Sequence, residues 1–174
     1  MADREVKRMN YSEMLKESSE KNKSIVCMGA DPVLEKIEAV IKSGDAEEKI
    51  TKFYSEIIDA CVSENTMPAA IKPNYAFYAQ HGWEGLRALK AVCEKVKVAG
   101  IPLIFDGKRG DIGKTSAAYA KELFDFWQAD CATIAPYMGS DSVGPFIKYC
   151  EEKGKGVYIL NRTSNAGAVD LQNL

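Results

Sequence analysis

The sequence predicts an α/β fold and, within that class, about the first five βα units of a (β/α)8 TIM barrel. Three observations carry this. Apolar runs of strand length alternate with longer segments of helical spacing, which is the pattern of a parallel sheet. Every run leads into a loop of polar and small residues. An open doubly wound sheet has one functional crevice, whereas a barrel collects such loops around a single face, so polar residues after every strand favour the barrel. Finally, 174 residues hold five such units, whereas a full barrel takes about 250 residues. The expected organisation is one incomplete barrel domain, 1–174, with residues 1–23 as a helical extension. The remaining strands would lie on a missing segment or a second chain.

The elements follow in order. Tyr11–Lys21 reads as an amphipathic helix ahead of the first strand, Ser24–Gly29, which ends in Gly-Ala-Asp-Pro. Val33–Ile41 and Ala46–Glu64 carry helical apolar spacing, with Ser43-Gly44-Asp45 as break and N-cap. Ala69–Lys72 is the second strand and runs into Pro73-Asn74. Trp83–Val98 is a helix stopped by Gly100. Ile101–Phe105 is the third strand and Ser116–Trp127 its helix. Ala132–Ala135 is the fourth strand, followed by a helix N-capped by Asp141 and running through Glu152. Gly156–Leu160 is the fifth strand, and the last residues, from Ala168, read as a helix just beginning.

Composition excludes several function classes. A net charge of −2 gives no electrostatic case for nucleic acid or an anionic membrane. No apolar run approaches the roughly 20 residues of a membrane span, and the charged first 23 residues do not resemble a secretory signal. The five cysteines are widely spaced and form no C-x-x-C pair, which reads as buried free thiols in a reducing cytoplasm. The single histidine, His81, has no partner at metal-ligand spacing, which points to a turn or helix start and away from a Ser-His-Asp hydrolase.

The chemistry concentrates in Phe105–Thr115, Phe-Asp-Gly-Lys-Arg-Gly-Asp-Ile-Gly-Lys-Thr. Four of the six positions from Asp106 to Asp111 are charged, at the junction expected between the third strand and its helix. Lys108 lies two residues after Asp106, so in extended backbone the two share a face. Asp111 stands near a helix start, where a carboxylate meets backbone amides and the positive end of the dipole. With Lys72 after the second strand, these residues alternate in charge. Such an array keeps the ammoniums protonated and the carboxylates ionised. It can deliver a proton from a lysine while holding a carboxylate against an anionic substrate group, with no metal or organic cofactor. Gly107, Gly110 and Gly113 between the charges suggest close backbone approach to a ligand or another chain. They do not form the G-x-x-x-x-G-K-[ST] phosphate loop.

Asp106-Gly-Lys108-Arg-Gly-Asp111-Ile112-Gly-Lys-Thr115 is similar to the signature of the orotidine 5'-phosphate decarboxylase family, Asp-x-Lys-x-x-Asp-Ile-x-x-Thr. It is nearest the branch reading Asp-Ala-Lys-Arg-Gly-Asp-Ile-Gly. Gly29-Ala30-Asp31-Pro32, Lys72-Pro73-Asn74-Tyr75-Ala76-Phe77, Pro136-Tyr137-Met138-Gly139-x-Asp141-Ser142 and Arg162-Thr163-Ser164-Asn165 resemble the motifs of the first, second, fourth and fifth strands, in family order. The resemblance implies a cofactor-independent decarboxylase converting orotidine 5'-monophosphate to uridine 5'-monophosphate in pyrimidine synthesis, working as a homodimer with shared sites. Lys72, Asp106, Lys108 and Asp111 would be its catalytic tetrad. Asp111, with Ile112 and Thr115, would reach into the partner subunit's site. Asp31, Lys72 and Asn74 would hold the ribose hydroxyls and Ser164 the edge of the pyrimidine. Asp31 also reads as a helix cap before Pro32, and Ser164 as a turn hydroxyl.

Two positions depart from the family pattern: Gly107 stands where the near branch has alanine, and Ala166 where the family has proline. The family's Gly-rich loop after strand seven and arginine after strand eight, which grip the phosphate, have no match in residues 1–174. Phosphate binding supplies energy usable at the reacting carbon, so this chain unaided is expected to be a poor catalyst. Two other readings remain at this level. One is a relative acting as a metal-dependent sugar-phosphate lyase or aldol-cleaving enzyme, although Lys72 stands where its metal-binding carboxylate would serve. The other is an inactive barrel fragment serving as a scaffold or assembly partner.

Overall fold

The computed structural model describes residues 9–173. The first eight residues of the expected extension and Leu174 lie outside this range. Helix α1 (Tyr11–Asn22) opens with a capping box in which Asn10 Oδ1 accepts from the Glu13 N–H and Glu13 Oε2 accepts from the Asn10 N–H, both at 3.0 Å. Strand β1 (Cys27–Ala30) follows, then α2 (Leu34–Val40) and α3 (Ala46–Ser63), whose N-cap is Asp45 as expected. Strand β2 (Ala70–Pro73) leads into α4 (Tyr75–Ala79), a short helix the apolar spacing does not announce. Helix α5 (Gly82–Val98) starts from His81 and ends at Ala99 and Gly100, the latter at φ 70°.

Strand β3 is Ile104–Arg109, three residues later than its apolar run suggests. Asp106 and Lys108 therefore lie on the strand and not in the loop beyond it. Helix α6 (Gly113–Lys121) continues into a π-helical segment, Glu122–Phe126. Strand β4 (Cys131–Ile134) precedes α7 (Ser140–Lys153). The N-cap of α7 is Gly139 and not Asp141; Asp141 sits in the first turn and its carboxylate accepts from the Ser142 N–H. Strand β5 (Gly156–Ile159) leads through a 3₁₀ turn (Ala166–Ala168) into α8 (Val169–Gln172), the expected incipient helix.

All strand pairs are parallel and sequential. β1 pairs with β2, β3 with β4 and β4 with β5, while bridges Ile71–Leu103 and Asn74–Asp106 join β2 to β3. This unbroken 1-2-3-4-5 order is that of a barrel and lacks the reversal of a doubly wound sheet. One hollow is lined by residues of all five strands, among them Cys27, Lys72, Ile104, Thr133 and Tyr158, so the five strands curve about a common interior.

The strand alternation separates two layers. Ala30, Ile71, Leu103, Phe105, Ala132 and Ile134 face outward into the main core beneath the helices. Inward, Ala70, Ile104 and Cys131 form a lower apolar layer covered by Tyr11 and Leu15 of α1. Helix α1 is tied at this end by Ser18 Oγ donating to the Ala69 carbonyl at 2.8 Å and Asn22 Nδ2 to that of Pro68 at 3.1 Å. Gly156 completes the fit: a Cβ built there would lie 2.9 Å from Tyr11 Cβ and closer still to its ring. Gly156→Ala is accordingly expected to destabilise the chain by about 1–3 kcal/mol, read as a lowered urea midpoint at unchanged m.

All five cysteines are free. Only Cys93 and Cys131 are buried, and burial raises both thiols to about 12. Cys27 is exposed, against expectation, because it faces inward on β1, which lies at the edge of the described sheet.

Candidate active site

One step further up the inward face, the interior changes from apolar to charged. Lys72 follows Ala70 on β2, Asp106 follows Ile104 on β3, and Thr133 follows Cys131 on β4. A two-residue advance is roughly 6.6 Å along a strand, so the polar layer sits toward the carboxyl ends. Asp106 is its centre, with a side chain only 7% exposed. Oδ2 accepts from Lys72 Nζ at 2.9 Å, and Oδ1 accepts from Lys108 Nζ at 2.6 Å and from the Thr133 hydroxyl at 2.8 Å. Burial by itself raises the Asp106 carboxyl, but the hydrogen bonds from Lys108, Lys72 and Thr133 outweigh it and hold the group below the usual carboxylate range. Burial likewise disfavours the Lys72 ammonium, yet its hydrogen bond to Asp106 and the nearby negative charges leave it above the ordinary lysine value.

The backbone of β3 makes this convergence possible. Phe105 pairs with Ala132 and Arg109 with Ile134, so Asp106, Gly107 and Lys108 together stand opposite Thr133 alone. Within this bulge Lys108 adopts φ 46°, in the left-handed region. Its N–H donates to Thr133 Oγ1 at 3.0 Å. Thr133 thus accepts from one end of the bulge and donates to the other. Sequence reasoning missed this residue, because a threonine in an apolar run is ordinary strand composition. The available signal was its place in strand register with Asp106.

The other expected residues are arranged differently. Asn74 adjoins Asp106 through a backbone bridge and spends its side-chain carbonyl on the Ala76 N–H, as the N-cap of α4. Asp31 lies just past β1. The cap position of α2 is Val33, so Asp31 is not the cap; its Oδ1 is buried without a hydrogen-bond partner among the described residues. Its charge nevertheless acts on Lys72. Asp111 does not join the cluster: its carboxylate accepts from the adjacent Ile112 N–H at 2.7 Å, one residue ahead of the α6 cap. Ile112, Thr115 and Ser164 are exposed. Gly107 and Gly110 lie close to the Phe105 ring and to Ala135 respectively.

Among the described residues, no group of three or more His, Cys, Asp or Glu side chains converges as metal ligands, and no helix is long and apolar enough to cross a membrane. What does converge is a buried ionised carboxylate, two ammoniums and a hydroxyl, opening onto a hollow. That arrangement can press charge against a bound anion and deliver a proton beside it.

The chain is similar to known proteins over most of its length. Residues 24–174 match the model of the Orotidine 5'-phosphate decarboxylase / HUMPS family. The chain is 39% identical over 165 residues to an orotidine 5'-phosphate decarboxylase of Verminephrobacter eiseniae, covering 95% of this chain and 57% of that protein. It is 42% identical over 167 residues to one of Dechloromonas aromatica, covering 95% and 58%. Among solved structures, Leishmania donovani OMP decarboxylase superposes with a TM-score of 0.78 at 37% identity, over 95% of this chain and 59% of that one. A protein of Streptomyces avermitilis described as a putative orotidine 5'-phosphate decarboxylase gives 0.82 at 27%, over 99% and 60%. The chain belongs to the orotidine 5'-phosphate decarboxylase family. Its fold is part of a (β/α)8 barrel, and it spans a little under three fifths of the curated relatives it matches.

Proposed function

We propose that the chain carries the charged half of an orotidine 5'-monophosphate decarboxylase site and turns over once the rest of the barrel is supplied. The observation that supports this best is the Asp106 carboxylate, buried and ionised between Lys72 and Lys108. In this reading the substrate carboxylate is held against Asp106. The bond from C6 to the carboxylate breaks, carbon dioxide departs, and the electron pair stays on C6. Lys108 stabilises that carbanion and gives it a proton from Nζ, later recovered from water. No cofactor takes part. Asp31, Lys72 and Asn74 hold the ribose hydroxyls, and Ser164 the pyrimidine edge. In a homodimer, Asp111, Ile112 and Thr115 serve the partner's site, in keeping with an Ile112 side chain 52% exposed and an Asp111 outside the local cluster.

The metal-dependent alternative fits less well, since the Lys72 ammonium occupies the Asp106 oxygen a divalent cation would need. The test is release of carbon dioxide from orotidine 5'-monophosphate by this chain alone and with a polypeptide carrying the three further βα units. Turnover by the completed barrel and none by the chain alone is expected. A completed barrel that binds uridine 5'-monophosphate yet releases no carbon dioxide sinks the proposal.

A further inference from the structure

Lys108 reaches Asp106 from within the β3 bulge, which holds it at φ 46°. A long side chain in that region is strained by about 1–3 kcal/mol, so surrounding contacts must hold it there. Thr133 does so from the site side. From the helix side the bulge is gripped by Arg109, whose side chain is 14% exposed. Its Nη1 donates to the Gly107 carbonyl at 3.2 Å, clasping the peptide just before Lys108. Its Nε and Nη2 donate to Glu122 Oε2 and Oε1 at 3.0 and 2.7 Å. The guanidinium lies 4.3 Å from the Tyr75 ring centre. Glu122 opens the π-helical segment, and its Oε1 also accepts from Trp127 Nε1 at 3.0 Å. Trp127 in turn stacks on Phe105, the residue before the bulge, with ring centres 5.2 Å apart.

A closed path therefore runs from Phe105 through Trp127, Glu122 and Arg109 back to Gly107, around the backbone that carries both reacting groups. We infer that Arg109 and Glu122 are positioning residues that fix the β3 bulge and so seat the Lys108 ammonium on Asp106. This rests on the reading of Lys108 and Asp106 as the reacting pair. The role needs a planar fork that serves Glu122 bidentately and Gly107 with a third donor. A lysine ammonium offers no such fork.

The test follows the Asp106 carboxyl by carbon NMR in the unaltered 174-residue chain, in Arg109→Lys, in Glu122→Gln and in Lys108→Ala. Lys153→Met serves as a control: it removes a different ion pair from the same π segment, Lys153 to Asp125 at 2.8 Å, without touching the bulge. In the unaltered chain Asp106 titrates below the ordinary carboxylate range. Arg109→Lys and Glu122→Gln move it upward in the direction of Lys108→Ala, while Lys153→Met leaves it in place. In the completed barrel, kcat then falls about 10²-fold in the two positioning variants with little change in KM. An Asp106 titration unmoved in Arg109→Lys and Glu122→Gln, whatever happens to thermal stability, overturns the inference. Should Arg109→Lys not fold, Glu122→Gln alone decides. An Asp106 that titrates normally in the unaltered chain and ignores Lys108→Ala overturns the underlying site reading as well, a different result from failure of the positioning role.

Discussion

In the completed barrel, Lys108→Ala is expected to lower decarboxylation by about 10⁴-fold or more, because one substitution removes both the proton donor and a positive charge facing the carbanion. Either role alone is worth about 10²–10⁴ or 10²–10³. Binding of uridine 5'-monophosphate should change only a few-fold, since no carboxylate or carbanion is present in it. The measurement is single-turnover carbon dioxide release alongside a binding isotherm. Loss of binding in step with rate would reassign Lys108 to substrate capture. The Lys108 side chain is about half exposed, with 49% accessibility, and lies outside the packed core, so its truncation should leave the fold intact.

Phe105→Ala is expected to destabilise the chain by about 3–5 kcal/mol, as for a large aromatic removed from a packed core. Phe105 is fully buried, stacks on Trp127 and lies 6.0 Å from the Tyr75 ring. Urea unfolding should show a lower midpoint at similar m. A loss below about 1 kcal/mol would mean the neighbours collapse into the space, which the close fit of Gly107 against the same ring argues against. The substitution also tests how the two faces of β3 are linked. Phe105 and Asp106 are adjacent and point to opposite layers, and one holds the strand by which the other is placed. A one-residue slip of β3 would turn the charges into the helix layer and Phe105 into the interior, so core packing fixes the register of the site.

Much of this was legible in the sequence. The alternation of five strands and their helices follows from apolar spacing. Asp45 and Gly100 mark helix ends because capping chemistry is local. Lys72, Asp106 and Lys108 are legible as a set because charges so dense at a strand end have little reason to be there for packing. What escaped depends on geometry that no local pattern encodes. Strand β3 runs on through its charged residues because Lys72 of β2 and Thr133 of β4 neutralise or satisfy Asp106, and that compensation comes from other strands. The π segment leaves no mark in the helical spacing, so Glu122 reads as a surface glutamate. Asp111 carries the right charge, but its distance from the cluster is set by the turn into α6. Asp141 looks like a cap, yet Gly139, at φ 95°, takes that place.

The sequential strand order has a consequence for how the protein comes into being. Lys72, Asp106, Lys108 and Thr133 all reside on β2, β3 and β4, neighbours in both chain and sheet. At about 5–20 residues per second a ribosome makes the stretch from Lys72 to Thr133 in roughly 3–12 seconds. Each new strand finds its partner already synthesised, with no need to wait for a distant segment. The carboxylate and its two ammonium partners are therefore all synthesised within one short stretch of chain, ahead of β5, so their charges can be matched before later strands are added.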